Sequence, residues 1–346
     1  MSDRFSVGLT CDFLAPDGTQ TYRDIGLDLL RSDPSVTFRF MERHPMHLAP
    51  EHLHGLDAVV SMAPRWTRES LKGIDRLALV ARFGVGYDMV DLAACTEADV
   101  AVTIATGAVD HSLAEAVIAW MLALGHRVRE KDALLREGRW SEKVRTMGCE
   151  LRDRTLGIVG LGGIGGRLVA LLRAFGMKPP LASDPFVAPA RAAELGVTLV
   201  PLERLLRESD FVSIHCPLDE KTRNLIGRAE LALMKPGAFL INTARGGIVD
   251  EEALVEALRA RRIAGAAVDV FAVEPAGADH PLAKLENVLL APHAIGWTDE
   301  LFRDIGRMAC GAVLRAARGE VPDGVVNREV LLRPGFQAKL ARRRSR

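Results

Sequence analysis

Short apolar runs recur along the first part of the chain: Ser6-Val7-Gly8-Leu9, Val36-Thr37-Phe38, Ala58-Val59-Val60, Leu77-Ala78-Leu79-Val80-Ala81 and Val100-Ala101-Val102-Thr103-Ile104. The stretches between them, such as residues 21–31 and 67–73, are mixed or helical in pattern. Apolar strands alternating with helices predict a parallel sheet covered on both faces, so the N-terminal part reads as a small α/β domain. Residues 114–125 place apolar side chains on nearly all faces of a helix, which predicts burial on every side, between domains or between subunits. A polar stretch over residues 127–154 precedes a second, clearer series, with strands predicted at 155–160, 181–184, 211–215, 239–242, 265–270 and 288–291. That is the pattern of a doubly wound domain. A last helix starts at the N-cap candidate Thr298, followed by Asp299 and Glu300, and runs to Gly319. It is too short for a third domain and is expected to pack back on the first.

With 346 residues, 48% of them hydrophobic, the chain can bury two cores, which excludes a disordered or low-complexity protein. Its 45 Lys+Arg balance 45 Asp+Glu, so no overall field draws in nucleic acid or an anionic membrane, and the expected partner is a small molecule. The basic tail, residues 339–346, reads as a frayed, solvated end without function. Five scattered cysteines with no C-x-x-C pair fit neither a disulfide framework nor a zinc site, so a reducing cytoplasm and no metal are expected. Met1-Ser2-Asp3-Arg4 leads into no export signal, and the apolar segment 113–124 contains Glu115 and is too short to span a bilayer.

Residues 155–160 enter the turn Gly160-Leu161-Gly162-Gly163-Ile164-Gly165, after which Leu168, Val169, Leu171, Leu172 and Phe175 form a helical apolar stripe. In such a strand, turn and helix the first glycine permits the tight turn and the second lets the backbone approach a pyrophosphate. The third lets helix and strand pack closely, and the helix N-terminus supplies donors and a positive dipole. Alone the motif is a weak signal, since glycines also mark ordinary turns. Its context strengthens it: about twenty residues beyond Gly165 the next strand ends in Ser183-Asp184-Pro185. A carboxylate there accepts hydrogen bonds from both hydroxyls of an adenosine ribose and repels a 2′-phosphate. The expected cofactor is NAD rather than NADP, with Arg191 the nearby cation that bears on the choice.

Ligands of open α/β sheets lie outside the carboxyl ends of the strands, and three polar residues stand at such ends. Arg245 follows Phe239-Leu240-Ile241-Asn242-Thr243-Ala244 and precedes Gly246-Gly247; its forked cation suits a substrate carboxylate and an adjacent carbonyl oxygen. Glu274 lies in the turn Ala272-Val273-Glu274-Pro275, beyond the strand ending at Asp269-Val270, and His293 directly follows Val288-Leu289-Leu290-Ala291-Pro292. Singly each has a plainer explanation as a surface charge, a loop residue or a structural histidine. Jointly they make a set: a cation for the substrate, a proton donor, and a carboxylate that holds the donor charged.

Further motifs stand in order along the chain: Arg82-Phe83-Gly84-Val85-Gly86-Tyr87-Asp88, the glycine turn, His215-Cys216-Pro217-Leu218 with Thr222, Asn242 to Gly247, Val268-Asp269-Val270-Phe271 to Glu274-Pro275, and Pro292-His293. In these the sequence resembles, over most of its length, the D-specific 2-hydroxyacid dehydrogenases, the group of phosphoglycerate, glycerate or hydroxypyruvate, and D-lactate dehydrogenases. The resemblance implies two doubly wound α/β domains, with a Rossmann NAD-binding domain at residues 107–295. That domain would be inserted into a flavodoxin-like substrate domain formed by residues 1–106 and the returning helix and tail, 296–346. Cofactor contacts are implied for Gly160, Gly162, Gly163, Ile164, Gly165, Asp184, Cys216, Pro217, Thr222, Thr243, Ala244 and Asp269, the last meeting the nicotinamide carboxamide. The N–H groups around Val85 and Gly86 would hold the substrate carboxylate, with Arg245 as anchor, His293 as acid/base and Glu274 as its partner.

The implied reaction passes a hydride between NAD(H) and C2 of a D-2-hydroxy or 2-oxo acid, with domain closure hinged near Thr106-Gly107 and Ile295-Gly296. A homodimer through the nucleotide domains is implied too, an interface that the 113–124 helix would suit. Other uses of the frame stay open, namely phosphite or formate oxidation, or a nucleotide-sensing, corepressor-like binding protein. Formate dehydrogenases of this fold carry an amide where Glu274 stands. Pro179 and Pro180 are expected to shorten the second strand of the nucleotide domain and shift Asp184. Trp297 and Arg65 are candidates for setting substrate choice.

Overall fold

The computed structural model describes residues 4–42 and 46–344. The chain divides into two compact units, Met1–Val109 with Trp297–Arg346, and Asp110–Gly296.

In the first unit the apolar runs become β1 (Phe5–Leu9), β2 (Val36–Phe40), β3 (Ala58–Ser61), β4 (Leu79–Arg82) and β5 (Ala101–Thr103). All pair in parallel in the order β2-β1-β3-β4-β5, the flavodoxin-like arrangement. β3 and β5 are buried at every residue, as strands covered by helices on both faces must be. Of residues 21–31 only the end is helical, in Leu27–Ser32, and 67–73 hold a single 3-10 turn, Glu69–Leu71. Tertiary contact accounts for the late start. The backbone at Ile25 and Gly26 runs flush against the helix Asp299–Ala317, where a Cβ on Gly306 would lie 2.2 Å from the Ile25 carbonyl carbon. That helix begins as its sequence predicts, with the Thr298 hydroxyl accepting a hydrogen bond from the Leu301 N–H at 3.1 Å.

The basic tail departs from expectation. Most of it lies in a helix, Pro334–Arg344, that buries Phe336 and Leu340. The Lys339 ammonium donates to the carbonyl oxygens of Leu77 (2.7 Å), Ala98 (2.9 Å) and Asp99 (3.0 Å), which precede β4 and β5. Burial pushes its pKa down to about 8, against the opposing pull of Asp99. Arg343 pairs with Asp57, which is 3% exposed and also accepts from Arg76 at 2.8 Å and the Ser6 N–H at 2.7 Å. The acceptors are turn carbonyls and a carboxylate far away in sequence, so the tail's own residues carry no sign of them. Ser345 and Arg346 lie outside the described residues.

The second unit contains β6 (Leu156–Val159), β7 (Leu181–Ser183), β8 (Thr198–Leu199), β9 (Phe211–Ile214), β10 (Phe239–Asn242), β11 (Gly265–Val268) and β12 (Val288–Leu290). These strands are parallel in the order β12-β11-β10-β9-β6-β7-β8, a Rossmann sheet whose order reverses between β6 and β9. β7 is short, directly after Pro179 and Pro180. The two-residue β8 pairs with it and has no signal in the sequence. The all-round apolar segment forms the helix Asp110–Gly125, which buries Ala114, Val117, Trp120, Met121 and Leu124 in one core with Ile158, Leu168 and Phe211. The polar stretch after it contains the helix Val128–Arg136 and a 3-10 segment, Trp140–Thr146. Among the described residues no helix is long and apolar enough to cross a membrane.

Candidate active site

The glycine turn leaves β6 at the point where the strand order reverses. Gly160 has φ +91°, and a Cβ on it would lie 2.7 Å from the Cys216 nitrogen, so the loops after β6 and β9 touch only because this residue is glycine. A Cβ on Gly165 would lie 2.9 Å from the Gly160 oxygen, which shows how closely helix Gly163–Leu172 approaches the strand. Above Gly162, the N-cap residue of that helix, there is open space. Open space at a helix N-terminus fits a pyrophosphate, with the amides of Gly162, Gly163, Ile164 and Gly165 as donors. The Leu161 N–H donates to Asp184 Oδ2 at 2.8 Å, while Oδ1 takes the amides of Phe186 (2.8 Å) and Val187 (3.2 Å). Asp184 thus stands beside the turn despite the prolines, and with three of about four acceptor positions taken by amides it retains about one, on Oδ2, for a ribose hydroxyl.

At the end of β9, His215 shares a 2.9 Å hydrogen bond through Nε2 with the Ser213 hydroxyl, and its Nδ1 is buried without a partner. Burial pushes its pKa down to about 4, so the ring is neutral near pH 7. Cys216 follows, its thiol pushed up to about 11 chiefly by burial and hence not a thiolate. Thr222 closes the loop, donating to the Pro217 carbonyl and accepting from the Asp219 N–H, both at 2.7 Å.

Asn242 shapes the turn after β10, with Nδ2 donating to the Arg245 carbonyl at 3.0 Å and Oδ1 accepting from the Ala244 N–H at 3.1 Å. The sequence marks Asn242 only as the first residue of the motif that runs to Gly247, with no role of its own, and its position at a strand end was the available signal. Thr243 Oγ1 is buried without a partner, a second orphaned polar atom at the edge that a nucleotide's own polar groups would satisfy.

Asp269, 3% exposed at the end of β11, accepts from the amides of Ala294 (2.8 Å) and Ile295 (3.2 Å), and its carbonyl accepts from the His293 N–H at 2.8 Å. Its carboxylate therefore holds the segment that carries His293. Burial raises its pKa, with those two amide bonds opposing. His293 adopts φ +56°, a left-handed conformation that a non-glycine residue takes only when its surroundings impose it. Its Nδ1 meets Glu274 Oε2 at 2.8 Å, and Glu274 Oε1 accepts from the Phe271 N–H at 3.0 Å. Burial alone would raise the pKa of Glu274, but the hydrogen bonds from His293 and Phe271 and the nearby charges of His293 and Arg245 hold it below the usual carboxylate range. Arg245, Glu274 and His293 are thus brought together at one edge of the sheet. Such a trio can bind an anionic group and pass a proton.

Val85 and Gly86 belong to the first unit, in the half-buried loop after β4. That loop is anchored by the Phe83 N–H on the Ser61 carbonyl (2.8 Å) and the Ala105 N–H on the Gly84 carbonyl (2.9 Å). Trp297 is 51% exposed and meets Tyr22 edge-on at 5.7 Å and Phe302 at 5.1 Å. The side chain of Arg65 is exposed, and its backbone pairs with that of Met46.

A family model described as "D-isomer specific 2-hydroxyacid dehydrogenase, NAD binding domain" matches residues 118–294. A glyoxylate reductase of Korarchaeum cryptofilum (strain OPF8) is 41% identical over 293 residues, covering 83% of this chain and 88% of that one. A D-3-phosphoglycerate dehydrogenase of Methanocaldococcus jannaschii is 39% identical over 78% of this chain, which spans 51% of that longer protein. The crystal structure of the TT0316 protein from Thermus thermophilus superposes with a TM-score of 0.81 at 32% identity, covering 93% of this chain and 99% of that one.

Proposed function

The chain belongs to the D-isomer-specific 2-hydroxyacid dehydrogenase family, NAD-linked oxidoreductases of 2-hydroxy and 2-oxo acids, and on that premise we propose that His293 is its acid/base, Glu274 the partner of His293 and Arg245 the substrate anchor. The observation that carries this reading is the 2.8 Å contact between His293 Nδ1 and Glu274 Oε2, with Arg245 close enough to act on the same carboxylate. NADH, when bound, supplies a hydride to C2 of a 2-oxo acid. With Nδ1 engaged by Glu274, Nε2 is the nitrogen left to give its proton to the substrate's carbonyl oxygen during reduction, or to take one during oxidation. Arg245 binds the carboxylate and offsets the negative charge that develops on the carbonyl oxygen. The N–H groups of Val85 and Gly86 are assigned to the same carboxylate.

The amides of the glycine turn would hold the pyrophosphate, Asp184 the ribose, and Cys216, Pro217, Thr222, Thr243, Ala244 and Asp269 the remainder of the cofactor. Asp184 supports NAD over NADP. The protein is further proposed to be a cytoplasmic homodimer. Five free cysteines support the compartment, and the exposed Leu135, Trp140, Val144 and Met147 support a covered face on the second unit.

Replacing His293 by Ala should lower turnover about 10²- to 10⁴-fold with NADH binding retained; turnover near that of the native enzyme refutes the assignment. The substrate is to be sought by NADH oxidation against phosphohydroxypyruvate, hydroxypyruvate, glyoxylate, pyruvate and branched 2-oxo acids, with NADPH as control. Faster turnover with NADPH would contradict the role given to Asp184.

A further inference from the structure

Glu274 sits in a turn whose placement its own residues do not determine. Two side chains outside the trio hold that turn. Glu251 opens the helix Glu251–Arg259, and its Oε1 accepts the Ala272 N–H at 2.6 Å. Its Oε2 lies 3.3 Å from His280 Nε2, and the two side chains are 22% and 18% exposed. His280 Nδ1 accepts the Leu282 N–H at 3.3 Å, which places the ring's proton on Nε2, facing Glu251. The His280 ring packs edge-on to Phe271, with centroids 5.1 Å apart and planes at 70°.

The backbone of Phe271 is therefore a shared support, with the Val270–Phe271 peptide on one side of its Cα and the Phe271–Ala272 peptide on the other. On one side the Phe271 N–H holds Glu274 Oε1, and Glu274 in turn holds His293. On the other the loop carrying Arg245 lies against it so closely that a Cβ on Gly246 would stand 1.9 Å from the Phe271 oxygen and 2.5 Å from the Ala272 nitrogen. Glu251 grips the Phe271–Ala272 peptide by its one free donor. We propose that Glu251 and His280 are positioning residues for the reaction: through the backbone of Phe271 they set the Glu274 carboxylate against His293 and keep the Arg245 loop in register with both. The inference rests on the acid/base role given above to His293.

Steady-state reduction of the best 2-oxo acid by NADH, followed across pH, tests this in the full-length enzyme. Against the effect of burial, the hydrogen bonds from His293 and Phe271 hold Glu274 below the usual carboxylate range, so a misplaced Glu274 takes up a proton at higher pH and the acid limb of activity moves up. Glu251→Ala should lower kcat about 10- to 100-fold, move that acid limb up by at least about half a pH unit, and leave the Kd for NADH unchanged. Glu251→Gln keeps one acceptor and should recover part of both effects. His280→Phe keeps the packing on Phe271, loses the hydrogen bond, and should fall between the two; it also serves if Glu251→Ala does not fold.

A purely structural role would lower the yield of active enzyme without moving the limb. The proposal is overturned if the folded variants keep the native limb, or if Glu251→Ala costs as much in a Glu274→Gln background as in the native one, since a residue acting through Glu274 must lose its effect there. Failure of the underlying reading looks different: His293→Ala would keep native turnover whatever Glu251 does.

Discussion

A histidine whose Nδ1 is tied to a carboxylate exchanges protons with a ligand only through Nε2, so the 2.8 Å contact to Glu274 orients the His293 ring. Glu274→Gln removes the charge, and reduction should slow about 10- to 100-fold with NADH binding retained; a native single-turnover rate in stopped flow would exclude the pairing as the cause. His215 has a different character. Its folded pKa, about 4, lies below the ordinary 6.5, so the unfolded chain binds the proton first. The neutral ring's contribution to stability is complete above pH 6.5 and is lost as pH falls toward 4. The urea midpoint should drop between pH 7 and pH 5, and drop less in His215→Asn; equal drops would assign the effect to other groups. The glycine turn gives a third contrast. Gly160→Ala, strained at φ +91° and blocked by Cys216, should destabilise folding by about 1–3 kcal/mol. Gly162→Ala, with open space above it, should leave folding near native and weaken NADH binding. Arg245, Glu274 and His293 were legible because each follows an apolar strand run. Glu251 and His280 were not, since a glutamate beside Glu252 at a helix start and a histidine before a proline look ordinary until their partner, one backbone amide, is located.

Among elements, agreement between sequence and structure follows the strength of local periodicity. β10 occupies residues 239–242, where the sequence puts it, and the other predicted strands of the second unit lose a residue or two at their ends, where pairing stops. β8 escaped because two residues show no alternation, and it exists only by pairing with β7. The helix at residue 299 was legible from its cap, and Thr298→Ala should cost about 1 kcal/mol in urea unfolding, with Thr298→Ser close to native. The tail helix was misread because a run of lysine and arginine is ordinarily solvated, whereas here three carbonyls and a buried aspartate receive Lys339 and Arg343. Lys339→Met keeps the apolar stem and removes the donor, so it should destabilise the protein by about 1–3 kcal/mol. A change within experimental error would return the tail to the solvated class.

At the scale of the whole molecule, the chain leaves one α/β unit after Val109 and re-enters it at Trp297, with an NAD-binding unit between. A ligand that binds only the native state stabilises by mass action, about 2.7 kcal/mol at a hundredfold excess over its Kd. Saturating NADH should accordingly slow hydrogen exchange in the turns at residues 160–165, 215–222 and 243–247 of the second unit, and protection confined to the first unit would contradict the cofactor assignments. The sequence by itself determined the alternation of strands and helices, the Rossmann turn with its acidic partner, and the family, because periodicity and motif spacing are local or near-local properties of a chain. Only the tertiary structure decided that Asp269 holds the His293 segment, that Glu251 reaches the amide beside Glu274, and that the basic tail is clamped under the first sheet. Each of these depends on a backbone group whose partner is chosen by the packing of elements far apart in the chain, and a backbone amide or carbonyl looks the same at every position of a sequence.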